Sequence, residues 1–306
     1  MMDKYIAAHF DLFRSAERAF NYIEADGKLV RKTIYTVEKG RQEVFFYKNI
    51  PQVLKPYFPK FIGSRSSKNK VSYEIELIPA YDVSVWYLRG TLSPDVFTKF
   101  LDEVEIFFSR TPRMEVPAER WRASAKKLIV DKLDSRWSEY TRAPVFKQLR
   151  GVFRDQHGAD IAELKRNVKR DLLIRLRDAD ERALHFAHGD LCFSNILMSP
   201  AKKLKLIDPK GAGTRGDLFI TLYYDLAKLS HSINGNYDGV LSGGKVPFAT
   251  QKKIFSRWVR RLGYDMKFVR LIESSLFLSL LPLHGNRPQS HKDFFKAALA
   301  AYKSSQ

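Results

Sequence analysis

The chain has 306 residues, room for one large or two ordinary domains and too many for a single small module. Hydrophobic residues make up 44% of it and charged residues 28%, a balance that supports a buried core and excludes disordered and collagen-like classes. Fifty-three Lys and Arg against 34 Asp and Glu leave a formal net charge of +19, which favours anionic partners, whether phosphates, nucleic acid or a lipid surface, without choosing among them.

The first 80 residues read as a small mixed domain. Strand-like runs at 19–24 and 28–35 are joined by Ala25-Asp26-Gly27, whose Asp-Gly pair suits a tight hairpin. Gly40 ends this pairing region, and residues 41–49, with Val44, Phe45 and Phe46 among charges, predict a short helix stopped by Pro51. Residues 64–70 form a polar loop leading into a strand over 71–78. Pro79-Ala80-Tyr81-Asp82 is the crossing point, so the domains divide as 1–80 and 81–306.

Beyond it the pattern is mostly helical. Ser93-Pro94 opens a helix that carries Phe97, Phe100, Leu101, Val104, Ile106 and Phe107, and a second helix follows Pro117. Asp160-Ile161-Ala162-Glu163 has the form of a capping box, after which Ile161, Leu164, Val168, Leu172 and Leu176 recur as one buried stripe. Lys165, Arg166, Lys169, Arg170, Arg175 and Arg177 lie between them, as a solvated face or as a phosphate-binding one. Residues 196–198 and 203–207 predict a two-stranded ribbon around Ser199-Pro200-Ala201. Helices follow over 224–231, 250–262, 267–281 and 290–302, with Gly235, Gly239, Gly243 and Gly244 in loops between them.

Cys192 is the one cysteine, so no internal disulfide forms, and the first residues carry no apolar export segment; both point to a reducing cytoplasm. The densest apolar stretch, 276–283, is far shorter than the roughly 20 residues a bilayer core requires. No transmembrane span is expected, although peripheral association through basic residues stays open.

The stretch that points to chemistry is His188-Gly189-Asp190-Leu191-Cys192-Phe193-Ser194-Asn195, followed after the ribbon by Asp208-Pro209-Lys210-Gly211. Taken singly, Asp190 after a glycine and Asp208 before a proline read as turn residues. Together with Asn195 they supply what transfer of a nucleotide phosphate to a hydroxyl needs: one carboxylate at the hydroxyl, and an amide oxygen with a second carboxylate for Mg2+. His185, His188 and Cys192 lack the second ligand cluster of a closed zinc site.

The order and spacing of these residues resemble the protein-kinase-like superfamily, especially its aminoglycoside phosphotransferase and choline kinase branch. That resemblance implies an α+β, bilobal protein-kinase-like fold, with a small sheet-containing N-lobe that binds nucleotide and a mostly helical C-lobe for catalysis and substrate. It implies ATP and Mg2+ as cofactors, Asp190 at the acceptor hydroxyl, Asn195 and Asp208 on the metal, His188 bracing the loop and Asp225 as a scaffold for it. It further implies Lys32 on the phosphates with Glu43 holding its ammonium, and an adenine edge read by the backbone of Glu76, Leu77 and Ile78. Lys28 and Arg31 lie in the same strand as Lys32, so that pairing has local competitors. Two features depart from the family: residues 15–20 contain no glycine where a phosphate-covering loop is expected, and Pro209-Lys210-Gly211 follows the metal-binding aspartate. Lys210 is a candidate contact for an anionic substrate.

The expected activity is phosphorylation of a hydroxyl on a small molecule or glycan. A positively charged protein suits an acidic sugar, phosphosugar or surface-polysaccharide precursor better than a cationic aminoglycoside. The alternatives are a catalytically inactive kinase-like scaffold or nucleic-acid-binding protein, and a protein kinase, for which no phosphorylatable activation segment is recognisable.

Overall fold

The computed structural model describes residues 21–147, 149, 160–244, 246–284 and 288–306. The glycine-free stretch 15–20 and the start of the first expected strand lie outside them. The hairpin forms from β1 (Asn21–Asp26) and β2 (Leu29–Ile34), with Asp26 opposite Leu29. Gly27 in the turn has φ +54°, a backbone state that a Cβ disfavours. Alternation along β2 puts Lys32 and Ile34 on the buried side, while Arg31 points the other way and pairs with Glu74 at 2.7 Å.

Helix α1 (Val37–Lys48) begins four residues earlier than the sequence suggests. Gly40 does not end the pairing region but lies inside this helix, where an added Cβ would come within 2.6 Å of the Val71 Cβ. The glycine lets α1 lie directly on the sheet, a packing reason that local sequence does not reveal. Strands β3 (Phe61–Ser66) and β4 (Val71–Glu76) complete an antiparallel sheet of order β1-β2-β4-β3 among the described residues. Residues 77 and 78, expected in the last strand, lie just past its end.

The chain then crosses through β5 (Tyr81–Asp82) into α2 (Val83–Leu88), whose cap is Asp82, and α3 (Pro94–Arg110), capped by the Ser93 hydroxyl accepting the Val96 amide. On α3 the residues Phe97, Phe100, Leu101, Val104 and Phe107 are buried, but Ile106 is 39% exposed, since a helical face spans only part of the turn. After β6 (Arg113–Glu115) comes α4 (Ala118–Lys126), which continues through one wide turn, Lys127–Asp131, into α5 (Lys132–Arg142).

Helix α6 (Ile161–Asp178) follows the sequence reading closely. The Asp160 carboxylate accepts the amides of Ala162 and Glu163 at 2.7 and 3.1 Å, and the five stripe residues are buried. Several of its cations are occupied by ion pairs, Lys165 and Lys169 both meeting Asp134, and Arg175 meeting Asp265. This is the solvated-face arrangement. Strands β7 (Ala183–Phe186), β8 (Ile196–Met198), β9 (Leu204–Leu206) and β10 (Phe219–Ile220) follow. β8 and β9 form the predicted ribbon, and β5 pairs with β8, joining the crossing segment to it.

The remaining helices are α7 (Leu222–Ile233), α8 (Tyr237–Ser242), α9 (Ala249–Arg261), α10 (Met266–Leu280) and α11 (Pro288–Lys303). Helix α8 occupies the stretch expected as a glycine loop; Gly239 is inside it because a Cβ there would strike Asn236 and the Gly244 carbonyl. Helix α10 is buried from Met266 to Leu280 apart from Lys267 and packs against α5, α6, α7 and α11, so it is the axis of the helical lobe. Among the described residues no helix is long and apolar enough to cross a membrane. The architecture is bilobal and α+β, a small sheet lobe over a larger helical one.

Candidate active site

The loop between β7 and β8 is clamped from below by α7. Asp225, fully buried in the first turn of that helix, accepts the amides of His188 at 2.9 Å and Gly189 at 2.7 Å. Burial raises the Asp225 pKa to about 7, while the two amide bonds work against the rise. His188 braces the loop on its other side. Its Nδ1 accepts the Asp190 amide at 3.2 Å, so Nε2 carries the proton and donates to the Ile207 carbonyl at 2.9 Å. The ring is therefore neutral, and burial holds its pKa below the usual histidine value. Gly189, at φ +75°, passes so close to Lys210 that a Cβ would lie 2.7 Å from the lysine Cβ.

Asn195 closes the loop by donating Nδ2 to the Asp190 carbonyl at 2.8 Å. Its amide oxygen is the end a hard cation would take. The Ile207 amide donates to the Asn195 carbonyl at 3.0 Å, so the ribbon brings Asp208, the next residue, beside Asn195. Asp208 has φ +55°, a left-handed state costing a non-glycine residue about 1 kcal/mol. Its carboxylate contacts the Lys32 ammonium, which also donates to Glu43 Oε2 at 2.9 Å; Tyr73 donates to the same oxygen at 2.8 Å.

This network joins the lobes. Burial works against charge on Lys32, but Asp208 and Glu43 outweigh it and raise its pKa. Burial also pushes Asp208 upward, and there Lys32 and Lys39 win, leaving its pKa below the ordinary carboxylate value. Glu43 is held in place by both Lys32 and Lys39, the latter at 3.7 Å. The segment after Asp208 is anchored to α1 as well. The Ala212 amide donates to the Gln42 carbonyl at 3.1 Å, and Gly211, at φ +79°, would place a Cβ 2.9 Å from the backbone of Gln42 and Glu43.

Of the residues singled out for adenine, Glu76 and Leu77 use their amides within the sheet, donating to the carbonyls of Lys60 and Lys28, each at 2.9 Å. The Ile78 carbonyl accepts the Ala80 amide at 2.8 Å. The three residues are therefore not alike: the amides of Glu76 and Leu77 and the carbonyl of Ile78 are already engaged within the chain.

Sequence reasoning missed the cations around Asp190. Lys228, one turn after Asp225 on α7, places Nζ 2.7 Å from Asp190 Oδ1. Helical spacing alone puts 225 and 228 on one face, so this signal was available. Lys132, at the start of α5, donates to the Tyr224 hydroxyl at 2.7 Å and lies 5.4 Å from that ring's centre. No sequence pattern links residues so far apart. Lys210 is exposed on the same side, its amide donating to the His188 carbonyl at 3.0 Å.

The donor set suits a magnesium ion held mainly by other ligands. Asp208 and Asn195 offer two hard oxygens, and among the described residues no group of three or more His, Cys, Asp and Glu side chains could cage a metal alone. Such sparse protein ligation is what Mg2+ accepts when phosphate oxygens and water complete its shell. Of the residues weighed for zinc, Cys192 is buried with its thiol pKa raised, and His185 meets Thr111 at 3.4 Å.

Two lobes joined by a short crossing, a lysine-glutamate pair in the sheet lobe and a braced Asp-Asn-Asp set in the helical lobe define the protein-kinase-like fold. The fold is similar to that of aminoglycoside phosphotransferases and of an ethanolamine kinase of known structure. An aminoglycoside phosphotransferase in ternary complex with AMP-PNP and hygromycin B matches with a TM-score of 0.57 at 12% identity, over 98% of this chain and 97% of its own. A spectinomycin phosphotransferase in complex with ADP and spectinomycin matches at 0.53 and 13%, over 94% and 89% of the two chains. A Plasmodium vivax ethanolamine kinase matches at 0.50 and 14%, over 99% and 86%. In sequence, no family model and no curated protein matches the chain.

Proposed function

We propose that the protein transfers the terminal phosphoryl group of ATP to a hydroxyl on a small molecule or glycan. The observation that carries this reading is the meeting of Lys32, held by Glu43, with Asp208 across the lobes, beside a loop that presents Asp190. In this reading residues 1–80 take the nucleotide and 81–306 take the acceptor. Lys32 holds donor phosphates, Ile78 and its neighbours face the adenine, and Asn195 and Asp208 hold Mg2+. The ion, when bound, neutralises charge on the transferring group. Asp190 orients the acceptor hydroxyl; as its oxygen bonds to phosphorus, the bond to the ADP oxygen breaks and the hydroxyl proton passes to Asp190. His188 and Asp225 keep that carboxylate in place. Positioning and charge supply much of the rate, so a strongly raised Asp190 pKa is not required.

The net charge of +19 and the lysines around Asp190 favour an acidic sugar, phosphosugar or polysaccharide precursor as acceptor, in the cytoplasm where ATP is supplied. The test is incubation of the purified full chain with ATP and Mg2+ and panels of such acceptors and of proteins, read by mass analysis. A small molecule or glycan gaining one phosphate supports the reading. A phosphorylated protein instead identifies a protein kinase, and nucleotide binding without any product identifies a scaffold.

A further inference from the structure

Resting on that phosphotransfer reading, we propose that the acceptor is held through an anionic group, a phosphate or a carboxylate, by Lys132 and Lys228 beside Asp190, with Lys210 at the mouth of the site. Three lysines from three elements converge there: the start of α5, the middle of α7 and the turn after β9. Lys228 touches the carboxylate that faces the acceptor hydroxyl, at 2.7 Å. Lys132 is held at 2.7 Å by the hydroxyl of Tyr224, a fully buried residue that offers no formal negative charge. Lys210 has no ion pair among the described residues, and the nearby Asp217 lies 3.9 Å from Lys127 and accepts from Thr214.

Lys132 and Lys228 act on the same side chain. Burial would raise the Tyr224 pKa, but Lys132 and Lys228 pull it below the ordinary phenol value. Like charges gathered around one residue are unfavourable in the free protein and become favourable when an anion lies among them.

A second observation lies one turn further along α7. His231 is 1% exposed, its ring 4.3 Å from that of Tyr237 and 4.1 Å from that of Phe277, yet neither ring nitrogen has a hydrogen-bond partner. A buried imidazole without partners is costly unless something supplies them. It continues the helical row of Tyr224 and Lys228. An acceptor bearing an ammonium near its hydroxyl would meet these lysines as like charges, whereas a phosphate or carboxylate would be held by charge-assisted hydrogen bonds.

The experiment titrates inorganic phosphate, and in parallel acetate, into the full chain at constant ionic strength, with and without saturating Mg2+ and AMP-PNP, by calorimetry. The variants are Lys132→Gln and, as the conservative control, Lys132→Arg. Phosphate or acetate binding that survives a filled donor site, weakens about tenfold in Lys132→Gln and recovers in Lys132→Arg is the expected result. Preference for phosphate points to a phosphorylated acceptor and preference for acetate to a carboxylated one. Equal anion binding by wild type and Lys132→Gln, or none by either, overturns the inference while leaving the phosphotransfer reading intact if AMP-PNP binds. Lys132-dependent anion binding without any AMP-PNP binding does the reverse.

Discussion

The two aspartates of the cleft are held in different ways. Asp208 is engaged by a lysine 176 residues away, on the other lobe, and its backbone sits in a left-handed state. Asp190 is engaged within its own lobe, by Lys228 on the same helix whose Asp225 clamps the loop amides. The first contact exists only while the lobes are together, and the second survives their separation. Asp208 is thus tied to the relative placement of the lobes, and Asp190 is organised independently of it.

The largest expected effect separates the two carboxylates directly. Asp190→Asn should reduce phosphoryl transfer about a thousandfold and leave nucleotide affinity nearly unchanged, whereas Asp208→Ala should lose magnesium-dependent nucleotide binding as well. Parallel rate and nucleotide-binding measurements check this, and an equal loss of nucleotide affinity in both would erase the distinction.

The next probe is pH. With a pKa of about 7 in the folded protein and an ordinary carboxyl value when unfolded, Asp225 releases its proton first in the unfolded state. Its contribution to stability is therefore complete at acid pH and declines as pH rises through about 4 to 7, by up to about 4 kcal/mol. Denaturant titrations should give a stability slope between pH 5 and 7 that is less negative in Asp225→Asn than in wild type; equal slopes would remove Asp225 as the titrating group.

Gly211→Ala tests the attachment of the Asp208 side to α1. A side chain forced into positive φ against the Gln42 backbone should cost about 1–3 kcal/mol and weaken nucleotide binding, read by thermal melting and calorimetry. The smallest effect is a control remote from both aspartates. Asp160→Ala removes the cap of α6 and should cost about 1 kcal/mol with nucleotide affinity unchanged.

Much of this molecule is legible because its signals are short-ranged. The α6 cap and stripe, the β8–β9 ribbon and the placement of Asp190, Asn195 and Asp208 around that ribbon all depend on residues near one another in the chain. The Lys32–Glu43 pair was visible as a candidate, but only the pleat of β2 and the burial of Glu43 separated Lys32 from Arg31 and Lys28. Gly40 and Gly239 were misread as breaks, because a glycine required for close packing and one required for a turn look alike in sequence.

Residue order by itself determined a small mixed segment followed by a mostly helical one, and the set of groups that point to phosphate chemistry, since backbone propensity, apolar period and motif spacing are local properties. Only the tertiary structure decided which cations face which carboxylates. Lys132 reaches Tyr224 and Lys228 reaches Asp190 because separate elements pack their buried faces together, and contacts made that way leave no regular spacing in the chain.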